Sequence, residues 1–216
     1  MHDIQVIGPK ELETAQRLGK QIVWTVSNSP SDWQSGLSPF LLGPVQLYGQ
    51  HASRCMENAW QFAKVYAQHA DALGEPTQAY WEWANRGWAG PAVRYPMGKG
   101  AKPLYLLWEG KRLAYIEARK QVYWTLYRDA VAHGSAFAKL RALHEQGPIT
   151  LLDFDGYDHE ARRMSLGDVI ELANRPMGHA FVLKAMLLFG ESVGADEAAE
   201  LDRLRPGGAA TQGSLF

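Results

Sequence analysis

With 216 residues, 46% of them hydrophobic and 21% charged, the chain has ample apolar material for one core and lacks the composition of a collagen, a coiled coil or a disordered polymer. A formal net charge of -1 excludes a protein that grips nucleic acid through a broad basic face. One cysteine, Cys55, leaves no intramolecular disulfide framework and suits a reducing, cytoplasmic compartment.

Residues 1–10 lack the charged and then apolar succession of a secretory signal. Pro9, whose ring presets φ for a first helical turn, predicts a short helix to about Gly19, and residues 21–26 read as a brief strand. Residues 27–49 are dense in Ser, Pro and Gly and predict loops with short extended pieces. Helical periodicity covers residues 54–73 and 77–86, and residues 87–102 form a loop. A hairpin over residues 104–115 turns at Glu109-Gly110-Lys111. Helices follow over residues 117–131 and 135–145, and Ser165 with Asp168 has the spacing of a capping box for a helix ending near Ala173. The longest apolar run, 180–190, is interrupted by Lys184, so no membrane contact is expected. The expected class is mainly α with a few short strands, in a single domain.

The chemistry concentrates in Met56-Glu57-Asn58-Ala59-Trp60-Gln61-Phe62-Ala63-Lys64. At ~100° per residue, Glu57, Gln61 and Lys64 fall within roughly 60° of one another, so a carboxylate, an amide and an amine address one ligand or form one solvated polar stripe. This Glu-Asn-x-Trp-Gln-x-x-Lys pattern resembles the signature helix of the NADAR superfamily. Three further pieces occur in that family's order. Leu37-Ser38-Pro39-Phe40 is similar to its Leu-Ser-Asn-Phe loop, and Leu151-Leu152-Asp153 followed by Asp158 is similar to a strand ending Leu-Val-Glu with an Asp five residues on. Asn174-Arg175-Pro176-Met177-Gly178 is similar to the Asn-x-x-Gly that opens the last core helix, followed here by apolar Ala180-Phe181-Val182-Leu183. The chain departs from the family in Pro39 for Asn, Asp153 for Glu, and a missing Trp-Gly after Asp158.

The resemblance implies a NADAR-like domain over residues 37–204, with an extension before it and a tail over residues 205–216. It implies cleavage of an N-glycosidic bond, as in relatives that remove ADP-ribose from guanine or hydrolyse a riboflavin-pathway intermediate. Glu57, Lys64, Asp153 and Asp158 are the catalytic candidates. Ser38, Phe40, Trp60, Gln61, Asn174 and Gly178 are the substrate-binding candidates. A carboxylate stabilises charge developing on the ribose or activates water, whereas an amine with a lowered pKa captures C1′ of an opened sugar as a Schiff base. Asp155, between the two aspartates, is expected to brace the turn through its backbone amides. Lys64 is expected to pair with Glu57 or Asp153.

Other features are open to two readings. Trp60, Tyr80, Trp81, Trp83 and Trp88 either fill a core or stack on a base, with Trp60 the best stacking candidate. Gly98-Lys99-Gly100-Ala101-Lys102 lacks P-loop spacing and reads as a solvated loop. Arg119 and Arg128 either balance a diphosphate or form surface ion pairs. The seven histidines show no metal-ligand spacing, and no cofactor is expected.

The chain ends in a flexible composition, Arg205-Pro206-Gly207-Gly208-Ala209-Ala210-Thr211, and then Gln212-Gly213-Ser214-Leu215-Phe216. That pentapeptide resembles the peptide by which bacterial replication proteins dock on the sliding clamp, with Leu215 and Phe216 as apolar anchors and Gln212 fixing register. A tether of this kind favours a modified nucleotide carried in DNA. A nucleotide-binding adaptor without chemistry and a hydrolase of small N-glycosides remain alternatives.

Overall fold

The computed structural model describes residues 2–205. Segments far apart in sequence build its central sheet. β1 (Ile4–Ile7) and β2 (Ile22–Trp24) flank β8 (Ile149–Leu152) and both run parallel to it, with Ile4 opposite Ile149 and Trp24 opposite Leu152. The sequence of β8, Ile-Thr-Leu-Leu, is buried at every position, as a strand covered on both faces requires. α1 (Leu12–Arg17) connects the two outer strands. The stretch expected as an extension thus supplies two strands of this sheet, and its Ile4, Val6 and Val23 lie fully within the main core. A buried central strand leaves backbone groups unpaired without a neighbour on each side, and these N-terminal strands are those neighbours.

After α2 (Asp32–Ser35) and the small antiparallel pair β3 (Val45–Gln46) and β4 (Ala52–Ser53), the chain enters α3 (Met56–Phe62). The helix expected over residues 54–73 stops eleven residues early. Lys64 and Val65 leave it as β5 (Lys64–Val65), pairing with Leu106 and Tyr105 of β6 (Tyr105–Trp108), and Leu107 N donates to Ala63 O at 2.8 Å. The ladder bonds replace the helical ones at no loss of pairing, so local periodicity does not decide the boundary. β6 turns into β7 (Lys111–Leu113) where expected. Glu109 and Gly110 take φ of 50° and 76°, the left-handed pair that a two-residue hairpin loop needs.

α4 (Gln78–Ala89) packs on α3 at Gly87, where an added Cβ would lie 2.0 Å from the Phe62 ring. The helix expected at residues 117–131 is continuous but not uniform: α5 (Tyr115–Ala118), a π-helical stretch (Arg119–Trp124) and α6 (Thr125–Ala132). α7 (Ser135–Gln146) leads into β8. α8 (Leu166–Glu171) starts at the expected capping box, Ser165 Oγ accepting from Asp168 N at 3.1 Å and Asp168 Oδ2 accepting from Ser165 N at 2.7 Å. α9 (Ala180–Phe189) is buried at every position but Leu187 and Phe189, and α10 (Ala195–Arg203) closes the described chain. The fold is α-rich with a few short strands in small sheets, as its composition and periodicity indicate. Among the described residues no helix is long and apolar enough to cross a membrane. Gln212, Leu215 and Phe216 lie outside the described residues.

Candidate functional site

A cavity of about 490 Å³ opens beyond the carboxyl ends of β2 and β8, where residues 26–28 and 153–155 leave the sheet. Parallel sheets commonly place ligands there, because the strand ends splay and expose backbone and side chains to one crevice. α3, the loop around Ser38, Tyr66, the segment 94–103, Tyr115, Arg119 and Tyr123 of the helical stretch beginning at α5, and the residues before α9 complete its wall.

The loop and α3 are locked together by backbone. Met56 N and Glu57 N, which have no partner within the helix, donate to Leu42 O and Pro39 O, each at 2.8 Å. This strap sets Ser38, Pro39 and Phe40 in the cavity wall beside Glu57. Along α3 a row of hydrogen bonds follows: Gln61 Nε2 donates to Glu57 Oε1 at 2.9 Å and Lys64 Nζ donates to Gln61 Oε1 at 2.7 Å. The expected direct pairing of Lys64 with a carboxylate is thus replaced by a relay through Gln61. Lys64 keeps its place on this face although β5 and not α3 carries it, since Ala63 at the helix end still has right-handed helical φ and ψ. Burial raises the Glu57 pKa despite the opposing Gln61 bond and Lys64 charge. Burial pushes the Lys64 amine down to about 8, with Glu57 opposing. Trp60 turns its ring into the same wall, with Lys64 Nζ 4.8 Å from the ring centroid and Tyr123 edge-on at 5.2 Å.

Opposite stands a closed arrangement. Asp153 Oδ1 accepts from Asp155 N at 2.9 Å, while Oδ2 accepts from Ala180 N at 2.9 Å and faces His179 Nδ1 at 3.0 Å. His179 Nε2 lies 2.7 Å from Thr25 O. Both ring nitrogens therefore face acceptors, which only the imidazolium satisfies as a double donor. Burial acts against charge on each partner, yet their mutual attraction and hydrogen bonds prevail, lowering the Asp153 pKa and raising that of His179. Gly178 is required by this closeness, because a Cβ there would lie 2.5 Å from Asp153 Oδ2.

Of the residues singled out in the sequence, Glu57, Lys64, Asp153, Ser38, Phe40, Trp60, Gln61 and Gly178 meet at the cavity. Asp158 does not. After Asp153 the chain turns tightly at Gly156, whose Cβ position is 2.3 Å from Ile7 O, and runs back over β1. Asp158 Oδ2 there accepts from Gln5 Nε2 at 2.5 Å and Oδ1 from Ala161 N at 3.0 Å. Asp155 occupies the wall instead, paired with Arg94 at 2.6 Å, so the turn-bracing carboxylate is that of Asp153 and the roles expected for these neighbours are exchanged. Asn174 is exposed outside the cavity, because the last core helix opens at Ala180 and not at Asn174.

Arg119 is not a surface ion pair: it lines the cavity, is 2% exposed and donates to the carbonyls of Val169, Ile170, Leu172 and Arg175 at 3.2, 2.7, 3.1 and 2.8 Å. These carbonyls lie in the last turn of α8 and just beyond it, where a helix runs out of its own donors. Arg128 pairs with Asp129 at 2.7 Å, as a surface arginine does. Gly98, Gly100 and Ala101 lie on the cavity rim.

Sequence reasoning missed His179, Arg94, Asp155 and Tyr123. His179 directly follows Gly178 and was open to inspection as a partner for Asp153. Arg94 sits in a segment without periodicity. It reaches the site only because Asn58 holds the preceding turn, donating to Gly87 O, Gly90 O and Pro91 O at 2.8, 3.1 and 2.9 Å and accepting from Val93 N at 2.9 Å. Among the described residues no group of three or more His, Cys, Asp or Glu is placed to hold a metal ion. Against this geometry, no family model, curated protein or solved structure gives a significant match to the chain.

Proposed function

We propose that the chain is a NADAR-type N-glycosyl hydrolase acting on ADP-ribosyl or otherwise modified nucleotides. The observation that carries this reading is the Glu57–Gln61–Lys64 row on the cavity wall, in which burial raises the pKa of the acid beside an amine lowered to about 8. Such a pair suits acid and nucleophile roles near neutral pH. The neutral Lys64 amine adds to C1′ of the sugar, and the C1′–N bond breaks with its electron pair leaving on the base nitrogen, which Glu57 protonates. The Lys64 nitrogen, now bonded to C1′, sheds a proton and its lone pair opens the ring, the C1′–O4′ bond breaking with its electron pair on O4′, which takes a proton; water then adds to the iminium carbon, and collapse to the C1′ aldehyde expels the amine. The cavity is of nucleotide-accommodating size, and the aromatic side chains of Trp60 and Phe40 line it. A substrate carried in DNA, a cytoplasmic setting and sliding-clamp docking by Gln212, Leu215 and Phe216 belong to the same proposal and rest on the sequence.

Incubation with guanine-ADP-ribosylated single-stranded DNA, NAD, ADP-ribose and nucleosides, read by mass spectrometry, tests it. We expect release of a free base or amine from one N-glycoside. Borohydride should trap a sugar on Lys64, with a yield that rises as pH climbs through about 8, where the amine loses its proton. Intact substrates throughout, or a trapped adduct only on another lysine, overturn the reading or its mechanism respectively.

A further inference from the structure

Outside the reacting groups, the mouth of the cavity has an unusual surface. Among the described residues the exposed large aromatic side chains are Tyr95, Tyr115 and Phe154, at 47%, 41% and 62% exposure, and all three line this one cavity. Single exposed aromatics are ordinary on a protein surface; gathering at one opening is not. Phe154 and Tyr95 are linked by Arg94, whose guanidinium carbon lies 4.2 Å from the Phe154 centroid and 5.3 Å from that of Tyr95. The guanidinium is itself held by Asp155 at 2.6 Å, and it covers one face of Phe154 while the exposure of the ring leaves the other open.

The group is tied to the elements that frame the cavity. Phe154 and Asp155 directly follow Asp153 at the end of β8, and Asn58 of α3 fastens the turn that leads to Arg94. Lys99 and Lys102 stand exposed in the adjoining rim loop and make no ion pair among the described residues. An open aromatic face backed by a fixed cation, with ammonium groups nearby, has the chemistry for stacking a base and meeting the phosphate attached to it.

We propose that Phe154, Arg94 and Tyr95 form a stacking subsite at the mouth of the cavity for a second nucleobase, joined through phosphate to the nucleoside held deeper within. The proposal rests on the N-glycoside reading of the inner site and adds to it that the ligand extends beyond one nucleotide. A neighbouring nucleotide in a single strand and the far base of a diphosphate-linked dinucleotide both present this chemistry.

Calorimetric titration of the full chain with a mononucleotide, a diphosphate-linked dinucleotide and a three-nucleotide single strand decides it, in wild type, Phe154→Ala and Phe154→Trp. The exposed ring can be truncated without opening the core. At least one two-base ligand should bind wild type more tightly than the mononucleotide, lose about tenfold in affinity in Phe154→Ala, and regain it in Phe154→Trp. Loss confined to the strand assigns the neighbouring nucleotide, and loss confined to the dinucleotide assigns the far base. Wild type that hydrolyses an N-glycoside but binds every two-base ligand no more tightly than the mononucleotide, or unchanged by Phe154→Ala, overturns the subsite and leaves the hydrolase. Phe154-dependent binding with no hydrolysis of any N-glycoside does the reverse.

Discussion

The Glu57–Gln61–Lys64 row and the Asp153–His179 pair face one cavity, but they are wired in opposite senses. Asp153 has backbone amides on both oxygens and the His179 ring on one, and both nitrogens of His179 are engaged. Glu57 receives one side-chain donor, from Gln61, and Lys64 gives to one side-chain acceptor, Gln61 again. A saturated ion pair has nothing left for a ligand and holds structure in place. An under-partnered acid and amine, the first buried and the second half-buried at a cavity wall, keep hydrogen-bonding capacity that a substrate can take up. The sequence treats Asp153 and Glu57 alike as acidic candidates, and only their hydrogen-bond partners separate holding from acting.

The largest test of this contrast is chemical. Glu57→Gln should lower turnover about 10²–10⁴-fold and Lys64→Ala should remove trapped adduct altogether, each with a melting temperature close to wild type. Calorimetric scans beside product assays check both, and full activity in either variant would end the distinction. Asp153→Asn should act first on stability. It leaves the His179 charge buried without its partner and should cost about 3–5 kcal/mol in denaturant unfolding, with activity lost as a consequence of a displaced Gly178–Ala180 segment. A stable but inactive Asp153→Asn protein would instead place Asp153 among the reacting groups.

The pH dependence of stability sharpens the same point. The raised His179 pKa gives a contribution that is complete below the ordinary histidine value of 6.5 and is lost as pH rises through the folded-state value. The lowered Asp153 pKa gives one that is complete above 3.8 and is lost as pH falls through its folded-state value. The pair therefore contributes most between those ordinary values, and stability measured upward from there should fall in wild type but flatten in His179→Gln. A wild-type profile identical to that of His179→Gln would mean that the imidazole is neutral. The smallest effect is expected at Asp158→Asn, whose side chain binds Gln5 and Ala161 away from the cavity: less than a twofold change in turnover, read in the same product assay. A large loss there would require Asp158 to enter the site in a conformation different from this one.

What the sequence by itself determined is local. The helical spacing of Glu57 and Gln61, the Glu109-Gly110 turn and the Ser165–Asp168 capping box all depend on residues within a few positions of one another, where backbone geometry leaves few choices. The apolar run of α9 and the α-rich class were likewise legible from periodicity and composition. Tertiary structure alone decided the rest. The end of α3 was set by a ladder to Leu106, more than forty residues away, and β1 and β2 became part of the central sheet because β8 needs a strand on each side. The exchange of Asp155 for Asp158 at the cavity followed from the tight approach of Gly156 to Ile7. The charge state of His179 came from Thr25 and Asp153, which are 154 and 26 positions away in the chain, and no spacing rule links residues whose meeting depends on how separate strands and helices pack.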